Sequence, residues 1–343
     1  MKAIVKKTAG QGGLVLEERP IPVPTSNEVL IKIKKTAICG TDVHIYNWDD
    51  WAKRTIKTPQ IIGHEFVGEV VEVGANVTNV SAGQLVSGEG HIVCGVCRQC
   101  ITGFQHMCAN TVGVGVNMDG VFAEYTAFPA KNIWKCDPQI PLNILSILDP
   151  LGNATHTALS YNLLGEDVLI TGAGPIGLMA VPIAKRAGAR NVVITDINPK
   201  RLEMARQLGA NLTYDVRTEK INIAEIPNML QGFDIGLEMS GSAAAFNQMI
   251  NSMICGGKIA ILGILPVDSL INWDTVVFRG LTLKGIYGRE MFNTWYQMTA
   301  MLQSGLVEDI QKVITHEFFY TDYAEAFEIM RMGESGKIIL DWS

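Results

Sequence analysis

The chain has 343 residues, 48% hydrophobic and 18% charged, and a net charge of -6. That length and apolar mass suit about two domains with sizeable cores. An acidic chain with no long Lys/Arg cluster argues against a nucleic-acid surface. Met1 to Gly10 is basic but lacks the apolar core of a signal peptide, so the expected location is cytoplasmic. Pro20, Pro22 and Pro24 mark an early extended loop. Val29 to Lys34 alternates apolar and polar residues, as a half-buried strand does, and Phe66 to Val73 is a second β-rich run ended by Gly74. This first half reads as β-rich, with the unusual residues on its loops.

The second half changes character. Asp167 to Thr171 predicts a short buried strand, followed by a Gly-rich turn and an apolar helix to about Arg186. The most apolar stretch, Val168 to Ala184, fits this strand, turn and helix better than a membrane span. Pro182 falls inside the predicted helix, where a kink is expected. Asn191 to Asp196 predicts a strand and Lys200 to Leu208 a helix. Phe233 to Met239, Lys258 to Leu262 and Leu281 to Ile286 predict further strands. Such alternation implies a doubly wound α/β parallel sheet covered on both faces.

Gly172-Ala173-Gly174-Pro175-Ile176-Gly177 is a G-x-G-x-x-G turn between the first of these strands and its helix. Its three glycines permit a tight turn, close approach of a pyrophosphate, and helix–strand packing. The helix N-terminus adds free N–H groups and positive potential, and Pro175 suits the first helical turn. Asp196 ends the next strand, where an acid holds ribose hydroxyls and repels a 2′-phosphate, which predicts NAD over NADP. Arg201 nearby would favour a phosphate instead. The alternative is a glycine turn that packs two elements without a ligand.

Seven cysteines, an odd number, argue against a disulfide framework. Cys94-x2-Cys97-x2-Cys100-x7-Cys108 places four thiols within reach of one ion. Four thiolates fill a tetrahedral zinc, leaving no position for substrate, so such a site is structural. An iron–sulfur cluster and a free-thiol cluster are the alternatives. Cys39, His64, Glu65 and Asp149 are weak signals singly, but together they supply the mixed ligand set of an open zinc site. An open zinc suits alcohol oxidation, because it lowers the pKa of a bound alcohol before hydride leaves for a nicotinamide.

Gly63-His64-Glu65-Phe66-Val67-Gly68, followed by Val73-Gly74, resembles the zinc-ligand signature of the zinc-containing medium-chain dehydrogenases, and the resemblance spans the chain. It implies a GroES-like β-rich catalytic domain over residues 1–148, with a structural-zinc lobe at about 88–110. A Rossmann domain over 149–292 and a C-terminal segment, 293–343, that returns to the catalytic domain would follow. It also implies two zinc ions per chain, with Cys39, His64 and Glu65 on the catalytic one and Asp149 acting there directly or through water. Thr41 and His44 match the family's proton relay. Gln84 stands where relatives usually carry Asp.

Ala37 to Trp48, Gly88 to His91, Asp149 to His156, Gly236 to Gly241 and Lys284 to Glu290 narrow the resemblance. They are similar to members that oxidise the β-hydroxyl of L-threonine to 2-amino-3-oxobutanoate with NAD, in threonine catabolism toward glycine. A polyol dehydrogenase, a silent NAD-binding or zinc scaffold, and a metal-dependent nucleic-acid binder, the last opposed by the net charge, are the alternatives. The resemblance further implies that Leu262, Gly263, Ile264, Ile286 and Tyr287 line the nicotinamide side, that His91 meets the substrate, and that the chain forms a homotetramer partly through its Rossmann sheet edges. Ordinary packing is the alternative for those residues. His106, His156 and His316 read as packing or surface histidines, Cys136 and Cys255 as buried thiols, and Tyr46, Trp48 and Trp51 as either a substrate mouth or loop packing.

Overall fold

The computed structural model describes residues 1–229, 231–333 and 335–343. Two compact units divide the chain: Met1–Asp149 with Glu290–Trp295 and Ile314–Ser343, and Pro150–Arg289 with Tyr296–Val313. No described helix is long and apolar enough to cross a membrane.

The first unit is organised by the strand Glu28–Ala37. Its partner on one side is Glu65–Val73. On the other side it is shared: Glu28 to Lys32 pair with Tyr125–Pro129, and Lys35 to Ala37 pair with Lys337–Asp341. The sheet continues outward through Leu85–Gly88 and Ile133–Lys135 at one edge and Ile314–Phe319 at the other. Alternate side chains of the central strand, Val29, Ile31 and Ile33, enter a core with Ile4, Phe66, Val70, Phe122, Phe128, Ile338 and Leu340. Because these neighbouring strands run antiparallel, Ala37 at one strand's end lies opposite both Glu65, which opens the next strand, and Ile339 in the middle of the third, two residues after Lys337. Cys39, Glu65 and Lys337 therefore emerge at one end of the sheet, although they are distant in sequence.

Among the described residues the second unit holds six parallel strands in the order Leu212–Asp215, Asn191–Asp196, Asp167–Thr171, Phe233–Glu238, Met253–Ile261, Thr282–Gly285. This is the doubly wound pattern, in which chain order reverses between Asp167–Thr171 and Phe233–Glu238. Both faces are covered, so Asp167–Thr171 is buried throughout. The helix Pro175–Arg186 runs through Pro182. Its neighbour is Pro199–Gln207, whose first N–H groups are capped by the Asn198 side chain. Cys255 corrects an expectation, since it is exposed rather than buried. The pairing with Phe233–Glu238 jumps from Met253 to Lys258, so residues 254–257 leave the ladder and carry Cys255 outward.

Candidate active site and cofactor groove

Cys39 ends the extended chain after Ala37 and caps the helix Gly40–Asn47. His64 and Glu65 follow Gly63, whose φ of +88° belongs to the left-handed region. A Cβ at Gly63 would stand 2.1 Å from the Phe122 ring, so the turn that aims His64 requires glycine twice over. One ligand atom each from Cys39, His64 and Glu65 lies within 4.8 Å of the others. Glu65 is fully buried, and its Oε1 has no hydrogen-bond partner among the described residues, as is true of His64 Nδ1 and Asp42 Oδ1. Buried polar atoms left this way are costly unless an ion satisfies them. One thiol, one imidazole and one carboxylate around such a point fit a zinc with a position to spare. Asp149 borders the same place: Gly90 packs between it and His64, with a notional Cβ 3.7 Å from Asp149 Oδ2 and 3.6 Å from His64 Cβ.

Two charged neighbours were not singled out by sequence. Asp42 Oδ2 accepts a hydrogen bond from Cys39 N at 2.9 Å, which fixes the backbone that carries the thiol. Burial raises the Asp42 pKa, against the pull of His64 and the Cys39 N–H. Lys337 is also fully buried, with Nζ 2.6 Å from Glu65 Oε2 and donating to Ile38 O at 2.8 Å. Burial opposes its charge, but the negative charges of Glu65 and Cys39 prevail and raise its pKa. Asp42 had a local signal, sitting in Cys39-Gly-Thr-Asp; Lys337 had only the oddity of a lysine leading the apolar run Ile338–Leu340.

Thr41 and His44 share the Gly40–Asn47 helix, one turn apart. Thr41 Oγ1 is 3.8 Å from Cys39 Sγ. His44 Nδ1 meets Asp49 Oδ2 at 2.5 Å, and its side chain is 62% exposed. His91 Nδ1 lies 3.0 Å from Oε1 of the buried Glu89, whose Oε2 accepts from Trp295 Nε1 at 3.0 Å. Tyr46 stacks on Phe327 and donates to Glu328, which favours packing for that residue.

The four cysteines of the lobe come together. Sγ separations are 3.5 Å for Cys97–Cys100, 3.5 Å for Cys94–Cys108 and 3.9 Å for Cys97–Cys108. Zinc–sulfur bonds of about 2.3 Å require tetrahedron edges of about 3.8 Å, so the donor set fits zinc. Without a cation the thiols cannot all ionise. The N–H groups of Val96 and Cys97 bring Cys94 down to about 6, while burial and Cys97 push Cys100 up to about 12.

In the second unit a groove of about 650 Å³ opens over the strand ends and is lined by Gly172, Gly174, Asp196, Arg201, Lys220 and Ser240, among others. Gly177 opens the helix so tightly that a Cβ there would stand 1.9 Å from Gly172 O. Pro175 and Ile176 form the first turn of that helix. Asp196 Oδ2 accepts from Ala173 N at 2.6 Å, and Oδ1 accepts from Ile197 N and Asn198 N, so the acid also braces the glycine turn. Arg201 Nε is buried with no hydrogen-bond partner among the described residues. Leu262 and Gly263 donate to Glu238 O beyond the strand Met253–Ile261, and Ile286 donates to Ile261 O. These three, with the exposed Ile264 and Tyr287, lie outside the groove's lining. A glycine turn at a helix start, beside an acid, fits a dinucleotide.

Residues 25–138 match the alcohol dehydrogenase GroES-like domain family, and residues 175–304 match the zinc-binding dehydrogenase family. The chain is 58% identical over 344 residues to an L-threonine 3-dehydrogenase of Burkholderia lata, with all of both chains covered. It also resembles the structure of galactitol-1-phosphate dehydrogenase from Escherichia coli, with TM-score 0.91, 25% identity, and 99% of this chain and 100% of that one covered. An alcohol dehydrogenase of Escherichia coli CFT073, solved with NADH, matches with TM-score 0.90, 26% identity, and 100% of this chain and 99% of that one covered.

Proposed function

The chain belongs to the zinc-containing medium-chain dehydrogenase family, and from that premise we propose that it oxidises the β-hydroxyl of L-threonine to 2-amino-3-oxobutanoate, with NAD as hydride acceptor. The observation that carries the substrate is the 58% identity over the full chain with an enzyme named for that reaction. Cys39, His64 and Glu65, with Asp149 at their border, would hold one zinc, and Cys94, Cys97, Cys100 and Cys108 a second. When bound, a zinc held by Cys39, His64 and Glu65 would supply Lewis acidity toward an alcohol and lower its pKa. Thr41 takes the hydroxyl proton and His44, one helical turn on and open to solvent, carries it away. Asp49 supports that step by holding His44 Nδ1, which leaves Nε2 for the transfer. Gly172, Gly174, Pro175, Ile176 and Gly177 seat the pyrophosphate, Asp196 and Arg201 face the adenosine ribose, and Leu262, Gly263, Ile264, Ile286 and Tyr287 border the nicotinamide. His91, held by Glu89, meets the amino acid.

We further read the protein as a cytoplasmic homotetramer. The edge strand Thr282–Gly285 has no outer partner among the described residues, and Leu270, Val277 and Phe278 nearby are exposed apolar side chains. Light scattering tests the assembly. The test of function is NADH formation by the zinc-replete protein with L-threonine, sorbitol, xylitol, butane-2,3-diol and ethanol, each with NAD and NADP. A strong preference for L-threonine with NAD is expected. A polyol preference would keep the chemistry and overturn the substrate.

A further inference from the structure

Glu89, Gly90 and His91 form a braced frame beside the catalytic ligands. Glu89 is fully buried. Its Oε1 accepts from His91 N and its Oε2 from Trp295 Nε1, each at 3.0 Å. A backbone N–H and an indole N–H can only donate, so the group receives on both oxygens, as a carboxylate does. His91 Nδ1 lies 3.0 Å from the same Oε1, and against an accepting oxygen it carries the proton. In the neutral ring the other nitrogen, Nε2, is then an acceptor. Asn132, also buried, closes the frame: its Nδ2 donates to Glu89 O and His91 O, each at 2.9 Å, and its backbone O accepts from Glu89 N. Gly90 packs beside His64 and Asp149, so His91 follows directly on a residue that borders the metal site.

A neutral imidazole backed by a carboxylate offers a lone pair and a net negative charge, the complement of a cation. In threonine the ammonium stands on the carbon next to the one that bears the hydroxyl, so it stays close to the point where that hydroxyl reacts. We propose that Glu89 is a positioning residue that determines specificity: it holds His91 with Nε2 as acceptor for the α-ammonium of the substrate, and so selects a vicinal amino alcohol over a polyol or a plain hydroxy acid. A substrate without the ammonium leaves that lone pair unmet and is discriminated against for that reason. The inference rests on the reading of L-threonine as substrate and of His91 as its contact.

The test follows NADH formation by the full-length, zinc-replete protein with three substrates: L-threonine, 1-aminopropan-2-ol, which lacks the carboxylate, and 3-hydroxybutanoate, which lacks the ammonium. The variants are Glu89→Gln, His91→Ala and both together. Glutamine keeps the shape of the side chain and removes its charge. In Glu89→Gln, kcat/KM should fall roughly thirtyfold for both amines, mainly through KM, and less than about threefold for 3-hydroxybutanoate. In the His91→Ala background the same change should add nothing. If Glu89→Gln does not fold, Trp295→Phe, which releases Oε2 from the indole, should give the same pattern to a smaller degree. An equal loss on all three substrates would overturn the proposal and make Glu89 a packing group, as would a full effect with His91 absent. A loss shared by L-threonine and 3-hydroxybutanoate but not by 1-aminopropan-2-ol would also overturn it, because it would set the carboxylate against His91. A wild-type preference for polyols sinks the substrate reading, and unchanged preferences in His91→Ala sink the reading of His91, each independently of Glu89.

Discussion

The two thiol-bearing clusters of the first unit solve opposite problems. Around Cys94, Cys97, Cys100 and Cys108 there is almost no core: Val93 is buried with Cys100 and Cys108, while Val96, Ile101 and Phe104 are exposed. A metal there stands in for packing, and four identical ligands leave nothing over for chemistry. Around Cys39, His64 and Glu65 the packing is already complete, with Ile38, Phe66 and Phe122 fully buried or nearly so. The sheet there positions the ligands, and the ligand set is mixed and incomplete. Asp42 and Lys337, both buried, fix its backbone and its charge. Where packing is poor the metal makes the structure; where packing is rich the structure makes the metal site.

The sharpest way to break this comparison is to remove one thiol from each cluster. Cys39→Ser should lower kcat/KM for L-threonine by roughly 10³-fold or more, while zinc content falls from two per chain to one and the unfolding midpoint stays close to wild type. Elemental analysis with thermal unfolding and kinetics checks all three. Cys100→Ser should do the reverse. It should cost several kcal/mol of stability and open residues 94–108 to proteolysis, while the zinc at Cys39 is retained and kcat per folded molecule changes little. If the two variants gave the same profile, the division of labour would be wrong.

A finer test addresses the backbone beneath Cys39. Asp42→Asn keeps the shape of the side chain but weakens the acceptor facing Cys39 N and removes a buried negative charge beside His64. Activity should drop roughly thirtyfold, with metal affinity reduced and the four-thiol cluster unaffected. Steady-state kinetics alongside chelator titration would show it. A loss of stability with normal activity would make Asp42 a packing residue.

How far sequence reaches into this molecule follows the same contrast. The four-cysteine spacing and the Gly172 to Gly177 turn were legible because each is a local device whose residues meet through a few bonds of chain. Most strands of the second unit were visible, since buried parallel strands read as short apolar runs: Asp167–Thr171 and Asn191–Asp196 were read with their observed limits, and Leu212–Asp215, which is only partly buried, was missed. Cys255 was misplaced because a local excursion from the strand leaves no mark in the hydrophobic pattern. Lys337 was invisible for a different reason. Its partner Glu65 meets it only through the sheet order, in which a C-terminal strand pairs with Glu28–Ala37 and thus comes beside a residue far earlier in the chain.

Lys337 also has an internal foil, and the smallest predicted effect comes from it. Lys6 is fully buried like Lys337, but its ammonium meets only the carbonyls of Gly10 and Gly12, at 2.6 and 2.5 Å, and the ring of Trp48, 4.8 Å away. With no carboxylate to offset it, burial lowers its pKa from 10.5 to about 8, whereas Lys337 is raised. The sign of the linkage follows. Between about pH 8 and 10.5 the unfolded chain binds the Lys6 proton and the folded one does not, so the cost of burying this charge is present in full below that window and is relieved as pH rises through it. Against a Lys6→Met variant, the wild type should gain on the order of 1–2 kcal/mol from pH 8 to 10, the full shift being reduced by the carbonyls that favour the charged form. Urea unfolding at several pH values measures the difference. A flat difference would mean that carbonyl dipoles and an aromatic face hold a buried ammonium as firmly as Glu65 does, and the special place given to the Glu65–Lys337 pair would have to be reconsidered.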